Sequence, residues 1–190
     1  VTMVEFMPRL VPVEDEDISK QMERSMKKAG VKIMTSSSVE KIDTSGSGVK
    51  ATVKTAKGEE ILEAEMLLSA VGIKTNIENI GLEAVGIAVD KDKILVNAYN
   101  QTNIPGYYAI GDVTPGQALA HVASAEGINC VEKIAGLHVQ PIDYGNVPGC
   151  TYATPEIASV GLTEKQAREK GYDLKIGKFP FTASGKAKAA

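Results

Sequence analysis

An aspartate between a predicted strand and a predicted helix is the residue best placed to bind a ligand. Asp112 follows the strand-like residues 107–110 and Gly111, and a helical pattern begins at residues 118–121. A carboxylate at such a turn can accept hydrogen bonds from a polyol. The first turn of a helix supplies backbone N–H groups and the positive end of the helix dipole.

Two interpretations of this turn remain open on spacing alone. A flavin nucleotide fits both features, because Asp112 could bind its ribityl chain and the helix N-terminus could stabilise the negative charge of the reduced ring. In the alternative, Asp112 only closes a turn, and His121 is only a polar residue in the first turn of the helix.

A second acidic residue lies at the end of a strand. Glu5 is the one charged residue of the stretch 1–6, which is otherwise typical of a strand buried in a parallel sheet. An acid at this place in a strand–helix–strand unit can accept hydrogen bonds from the ribose hydroxyls of NAD and would repel the 2′-phosphate of NADP. The alternative is an ordinary solvated acid.

Three other candidates do not support chemistry. Gly46-Ser-Gly-Val-Lys-Ala51 matches a dinucleotide fingerprint, but it lies between two predicted strands instead of opening a helix, which indicates a hairpin turn. Cys130 and Cys150 form neither a C-x-x-C nor a C-x4-C pair, so we expect buried, inert thiols. His121 and His138 have no second ligand at metal-binding spacing, and no metal site is expected.

The elements that position these residues indicate an α/β fold. A strand over 1–6, a helix over 15–29 closed by Gly30 and a strand over 31–34 predict a parallel unit. A β-meander follows. The remaining predicted elements are a buried strand at 66–71, short strands at 86–89 and 94–96, a buried strand at 107–110, a helix at 118–135, and strands at 150–162 and 172–181 around a helix at 164–170 with a capping box.

Composition excludes several function classes. The chain has 190 residues, a net charge of −3 and no basic face, which argues against nucleic acid as a partner. The apolar run 66–71 is far shorter than the roughly 18 residues of a membrane span. Two cysteines argue against a secreted disulfide framework and favour a cytoplasmic location. The chain starts directly in a strand-like stretch, so we expect it to be an internal piece of a longer protein.

Several strings, taken together and in order, resemble the flavin-dependent pyridine-nucleotide disulfide oxidoreductases. The likeness covers nearly the whole chain, and residues 12–15 and 119–121 are most similar to the members that oxidise dihydrolipoamide. The strings are Val1-Thr-Met-Val-Glu5, Leu10-Val-Pro-Val-Glu-Asp15, Ser69-Ala-Val-Gly-Ile-Lys-Thr-Asn76, Tyr108-Ala-Ile-Gly-Asp-Val113, Leu119-Ala-His121 and Tyr152-Ala-Thr-Pro-Glu-Ile-Ala-Ser-Val-Gly-Leu-Thr-Glu164.

The resemblance implies two cofactors, NAD and FAD, and assigns binding residues to each. The residues implied for NAD are Glu5, Val39 and Gly72, and those implied for FAD are Asp112, Ala118, Leu119, Ala120 and His121. It also implies a partial, Rossmann-like NAD-binding domain at 1–73, the C-terminal part of the FAD-binding domain at 74–147, and the start of an α+β interface domain for homodimerisation at 148–190. Gly72 is followed by Ile73-Lys74, where basic residues are common in the family, and we interpret the difference as tolerated variation.

The implied reaction is oxidation of dihydrolipoamide by NAD+ through an enzyme disulfide and FAD, in contact with lipoamide-bearing proteins of 2-oxoacid dehydrogenase complexes. The family's redox cysteine pair and catalytic His–Glu pair do not occur in these 190 residues, so no catalytic residue is predicted here and the isolated chain is expected to be inactive. The alternatives are another family member, such as an NADH oxidase or mercuric reductase, and an interaction module without a cofactor.

Overall fold

The computed structural model describes residues 1–189, which divide into two compact units. Unit 1 comprises Val1–Asp43, Lys50–Leu62 and the chain from Cys150 onward. Unit 2 comprises Thr44–Val49 and Glu63–Gly149. The chain contains both strands and helices, including a parallel strand–helix–strand unit, and the predicted α/β class is confirmed.

Unit 1 begins with the predicted parallel strand–helix–strand unit. Strand β1 (Thr2–Val4) pairs in parallel with β2 (Lys32–Met34), and helix α1 (Glu16–Lys28) connects the two strands. The helix has acids in its first turn and lysines in its last, as the helix dipole favours. Gly30 ends it with a φ of +86°, a left-handed conformation that costs glycine little.

The meander follows as an antiparallel sheet of three strands in the order β3-β4-β5, as predicted. The strands are β3 (Ser38–Asp43), β4 (Val49–Thr55) and β5 (Gly58–Ala64). The glycine string at 46–51 spans the connection from β3 to β4 and the start of β4. Its interpretation as a hairpin turn, and not as a dinucleotide fingerprint, is therefore confirmed.

The C-terminal part of the chain contributes to the core of unit 1. Ile157 is buried together with Leu10 and Met22 of the N-terminal part. Two polar contacts accompany this packing. The Ser159 hydroxyl donates to Glu14 Oε1 at 3.1 Å, and Asp15 Oδ1 accepts the Glu164 N–H at 2.8 Å. Sequence patterns indicated neither of these long-range contacts.

Short elements organise the C-terminal part itself. They are β8 (Gly149–Thr151), β9 (Ile157–Ser159), α4 (Glu164–Glu169) and α5 (Gly185–Ala189). The predicted capping box of α4 is confirmed, because the Thr163 and Gln166 side chains each accept a hydrogen bond from the other's backbone N–H.

Unit 2 contains the predicted glycine–aspartate turn and the helix after it. Its elements are α2 (Leu82–Val85), β6 (Val89–Asp90), β7 (Lys93–Ile94) and α3 (Ala120–Ile134), with a 3₁₀ turn at Gly111–Val113. Ile77, Leu82 and Ile94 form a buried cluster against which Val113 packs. Strand β7 and the 3₁₀ turn therefore pack against the same hydrophobic cluster.

Several predicted strands are wrong. Residues 66–71 form no strand, and Leu68 and Val71 are 91% and 96% exposed. Residues 107–110 make one isolated bridge, Gln101 with Tyr108, and are not buried, while residues 172–180 form no strand. The strand at 1–6 shortens to Thr2–Val4 and is only partly buried. Apolar composition signals a strand, but a strand forms only where another strand pairs with it. Among the described residues, 66–71 and 172–180 have no strand partner, and 107–110 pair only at Tyr108.

None of the helices within residues 1–189 is long and apolar enough to cross a membrane.

Candidate functional site

The glycine–aspartate turn in unit 2 combines an exposed carboxylate with a backbone that is held by hydrogen bonds. Asp112 is exposed at the centre of the 3₁₀ turn. The Gly111 carbonyl accepts hydrogen bonds from the backbone N–H of Thr114 at 2.9 Å and from its hydroxyl at 2.8 Å. Lys93 Nζ donates to the Asp112 carbonyl at 2.6 Å. The side chain is therefore open to a ligand while the backbone that carries it is held.

The backbone and the packing before this aspartate favour glycine. Gly111 has a φ of +74°, in the left-handed region that glycine adopts without steric cost. A Cβ at this position would lie 3.2 Å from Ala123 Cβ on helix α3. The turn is thus packed directly against the helix, which accounts for a glycine ahead of Asp112.

Helix α3 begins later than predicted. Ala118 and Leu119 precede it, and Leu119 is the N-cap residue with extended backbone angles. Its side chain cannot accept a hydrogen bond, so no side chain caps the amides of the first turn, at Ala120 and His121. His121 Nε2 lies 3.2 Å from the Pro148 carbonyl. The uncapped amides and the exposed Asp112 both lie in unit 2 and offer complementary groups to an anionic polyol.

Behind the turn lies a buried glutamate that sequence analysis missed. Glu126 of α3 is 2% exposed. Its Oε2 accepts the Gly111 N–H at 2.6 Å, and its Oε1 accepts the Tyr144 hydroxyl at 2.7 Å. A signal was present, since Glu126 is the single acid among residues 118–131 of a small-residue helix. Such a residue is expected at the surface unless it is paired or hydrogen-bonded.

Tyr144 should titrate late. Partial burial, the hydrogen bond to Glu126 and the charge of that carboxylate raise the pKa of Tyr144 to about 12, although the residue as a whole is 39% exposed. Between the unfolded pKa near 10 and this value, the folded state holds a proton that the unfolded state has lost. The Tyr144 contribution to stability is therefore complete below pH 10 and is lost as the pH rises through about 12.

An alkaline titration of phenolate absorbance checks this prediction. Subtracting the titration of Tyr144→Phe from that of the parent should isolate one tyrosine with a midpoint near 12. A difference curve centred at the ordinary tyrosine pKa would contradict it.

Glu5 lies in unit 1, just past strand β1. Its backbone N–H donates to the Met34 carbonyl at 2.9 Å, and its carbonyl accepts the Ser37 N–H at 3.0 Å. Its Oε1 accepts the Met7 N–H at 2.7 Å. Glu5 is thus fixed at the end of the parallel sheet, with a partly exposed carboxylate.

The other two residues predicted to contact NAD have unusual backbone. Val39 of β3 in unit 1 lies next to a bulge, because Val39 pairs with Val53 and Lys41 pairs with Thr52. A bulge leaves backbone groups of the extra residue outside the ladder. Gly72 of unit 2 has a φ of +118° and open space around the position of a Cβ. Gly72 leaves its backbone open to a ligand. Val39 itself is paired with Val53, and the extra residue of the bulge is its neighbour Glu40.

The two thiols differ in exposure, and the expectation that both are buried is wrong for Cys150. Cys130 is buried in α3, and burial raises the pKa of its thiol, which disfavours the reactive thiolate. Cys150 is exposed. Both are free, and no group of potential metal ligands occurs among residues 1–189.

Two family patterns match the chain. The pattern of the pyridine nucleotide-disulphide oxidoreductases matches residues 1–127, and the pattern of their dimerisation domain matches residues 147–190. This chain belongs to the pyridine nucleotide-disulphide oxidoreductase family. The resemblance predicted from the sequence is confirmed.

Several relatives of this chain are dihydrolipoyl dehydrogenases, and one relative at 46% identity is a leghemoglobin reductase of Glycine max. A dihydrolipoyl dehydrogenase of Rhizobium etli is 48% identical over 98% of this chain and 39% of its own length. The mitochondrial dihydrolipoyl dehydrogenase of Pisum sativum is 46% identical over 100% of this chain and 38% of its own length. The chain spans about two fifths of each relative.

The match to a solved structure agrees with the matches found by sequence. The crystal structure of LpdA from Mycobacterium tuberculosis superposes on the chain with a TM-score of 0.89 at 28% identity. The match covers 100% of this chain and 41% of that protein.

Proposed function

We propose that this chain is part of a flavoprotein that oxidises dihydrolipoamide to lipoamide with NAD+. Family membership and the names of relatives at 46–48% identity support the proposal. The observation that carries it is the turn at Gly111–Val113, which exposes the Asp112 carboxylate ahead of the uncapped helix α3.

The residues of unit 2 fit FAD. Asp112 would accept hydrogen bonds from the ribityl hydroxyls, and the backbone N–H groups of Ala120 and His121 would face the part of the ring that becomes negative. Ala118 and Leu119 would line the approach to these amides. FAD, when bound, carries electrons from the substrate dithiol, by way of an enzyme disulfide, to NAD+.

The NAD contacts proposed for this chain come from Glu5, Val39 and Gly72. Glu5 would accept hydrogen bonds from the ribose hydroxyls of the adenosine, and its charge would disfavour a 2′-phosphate. Val39 and Gly72 would contribute backbone groups, and the positive φ and open surroundings of Gly72 support its part in this contact. The disulfide and the acid–base groups of the reaction would come from residues other than these 190.

The proposed organisation follows the family. Residues 1–73 would belong to the NAD-binding domain, 74–147 to the FAD-binding domain and 148–190 to the interface domain of a homodimer. The match of 147–190 to a dimerisation domain supports the dimer. The proposed partners are lipoamide-bearing proteins of 2-oxoacid dehydrogenase complexes. The proposed compartment is the cytoplasm, a reducing environment that suits two free cysteines.

Replacing Asp112 with alanine tests the FAD assignment. The change removes a charge-assisted hydrogen bond worth about 1.5–3 kcal/mol, which is roughly 10- to 150-fold in affinity. The complete Asp112→Ala enzyme should therefore bind FAD at least tenfold more weakly, as measured by flavin fluorescence during titration of the apoprotein. Asp90→Ala, an exposed acid on β6 in the same unit, is the matched control and should keep the parent affinity. Equal FAD affinity in the Asp112→Ala and parent enzymes would contradict the assignment.

A further inference from the structure

We propose that Glu126 is a positioning residue that holds the Gly111–Asp112 backbone in the conformation that binds FAD, with Tyr144 and Lys93 as its supports. This inference rests on the proposed FAD-binding role of Asp112. It concerns residues that make no contact with the ligand themselves and that act through the turn.

Burying Glu126 carries a free-energy cost. A carboxylate that is 2% exposed is expensive to remove from water unless its oxygens are hydrogen-bonded. Both oxygens of Glu126 are used, one by the Gly111 N–H and one by the Tyr144 hydroxyl. No lysine, arginine or histidine forms an ion pair with it within residues 1–189. An apolar residue would fill the same space at lower cost, so stability alone does not account for a glutamate here.

The Glu126 carboxylate holds the backbone directly before Asp112. The Gly111 N–H belongs to the residue directly before Asp112, and a hydrogen bond to an ionised acceptor is about twice as strong as a neutral one. From the other direction, Lys93 Nζ of β7 donates to the carbonyl of Asp112 itself. The backbone on both sides of the Asp112 Cα is therefore tied by side chains from two elements. The Asp112 side chain is left exposed.

Tyr144 anchors the Glu126 side chain. Its hydroxyl occupies Glu126 Oε1, so the carboxylate cannot rotate without losing that bond. Its ring also packs beside the loop between Asp112 and α3, since a Cβ on Gly116 would lie 3.5 Å from the ring. Tyr144 therefore supports both the carboxylate and the loop that leads to the helix N-terminus. Binding groups require this kind of support to keep their geometry.

A double-mutant cycle between Glu126 and Asp112 tests the inference. FAD dissociation constants are measured by fluorescence on the complete enzyme as parent, Glu126→Ala, Asp112→Ala and the double variant. We expect Glu126→Ala to weaken FAD at least fivefold in the parent and less than twofold in the Asp112→Ala background, because Glu126 acts through Asp112. Glu126→Gln should restore part of the affinity, since the amide oxygen still accepts the Gly111 N–H.

The controls separate positioning from general damage. Glu132→Ala changes an exposed glutamate of the same helix and should leave FAD affinity unchanged. Lys93→Met keeps the aliphatic stem and removes the bond to the Asp112 carbonyl, so it should weaken FAD and show the same non-additivity. If Glu126→Ala does not fold, the cycle is run with Glu126→Gln and Lys93→Met.

The outcomes distinguish this inference from the function on which it rests. If Asp112→Ala weakens FAD but Glu126 and Lys93 variants do not, or if their losses multiply with that of Asp112→Ala, the positioning role is wrong and the FAD assignment stands. If Asp112→Ala itself has no effect on FAD affinity, the FAD assignment fails, and the positioning inference fails with it.

Discussion

A polypeptide of these 190 residues, mixed with FAD, NAD+ and dihydrolipoamide, is expected to form no NADH above a control without protein. The proposed reaction needs a dithiol that alternates with a disulfide, and the sequence has no C-x4-C or C-x-x-C pair. Cys130 is buried within helix α3, and burial raises the pKa of its thiol, so the nucleophilic thiolate is disfavoured. Cys150 is exposed but belongs to the other compact unit.

The measurement is NADH absorbance over time, with a complete dihydrolipoyl dehydrogenase as the positive control. Cys130→Ser and Cys150→Ser variants of the 190-residue polypeptide serve as matched controls. Turnover that is clearly above the background and is abolished by either serine variant would show that these thiols can carry electrons. That result would overturn our interpretation of both cysteines as inert.

Replacing Glu5 with alanine is expected to raise the KM for NAD+ about tenfold or more in the complete enzyme. The change removes charge-assisted hydrogen bonds to the ribose, and one such bond is worth about 1.5–3 kcal/mol, or roughly 10- to 150-fold in affinity. The preference for NAD+ over NADP+ should shrink as well, because Glu5 no longer repels the 2′-phosphate. The flavin spectrum should stay the same, since the residues proposed to hold FAD lie in unit 2.

Steady-state kinetics with both nucleotides measure this effect. Glu59→Ala, which removes an exposed glutamate of strand β5 in the same unit, is the matched control and should keep the parent KM. An unchanged KM for NAD+ in the Glu5→Ala enzyme would refute the ribose contact. An equal rise in both variants would point to a general charge effect.

Local patterns predicted the elements whose stability comes from residues a few positions apart. Helix α1 was predicted from its terminal charges and Gly30. The capping box of α4 was predicted from Thr163 and Gln166, and the hairpins were predicted from their turn residues. The family resemblance also followed from short strings. The turn with Asp112 was found for the same reason, because a glycine and an aspartate between a strand-like run and a helix form a local signal.

Only the tertiary structure decided which distant groups meet. Apolar runs at 66–71 and 107–110 resemble buried strands, but a strand requires a partner, and composition does not report whether one is adjacent. The residues that hold the backbone at Asp112 also come from distant parts of the sequence. Glu126 reaches Gly111 across 15 residues and Tyr144 across 18, and its identity suggested a surface position. Folding brings these groups together, so the residue proposed to bind FAD was recognised in the sequence, while the contacts that Glu126 makes with Gly111 and Tyr144 were not.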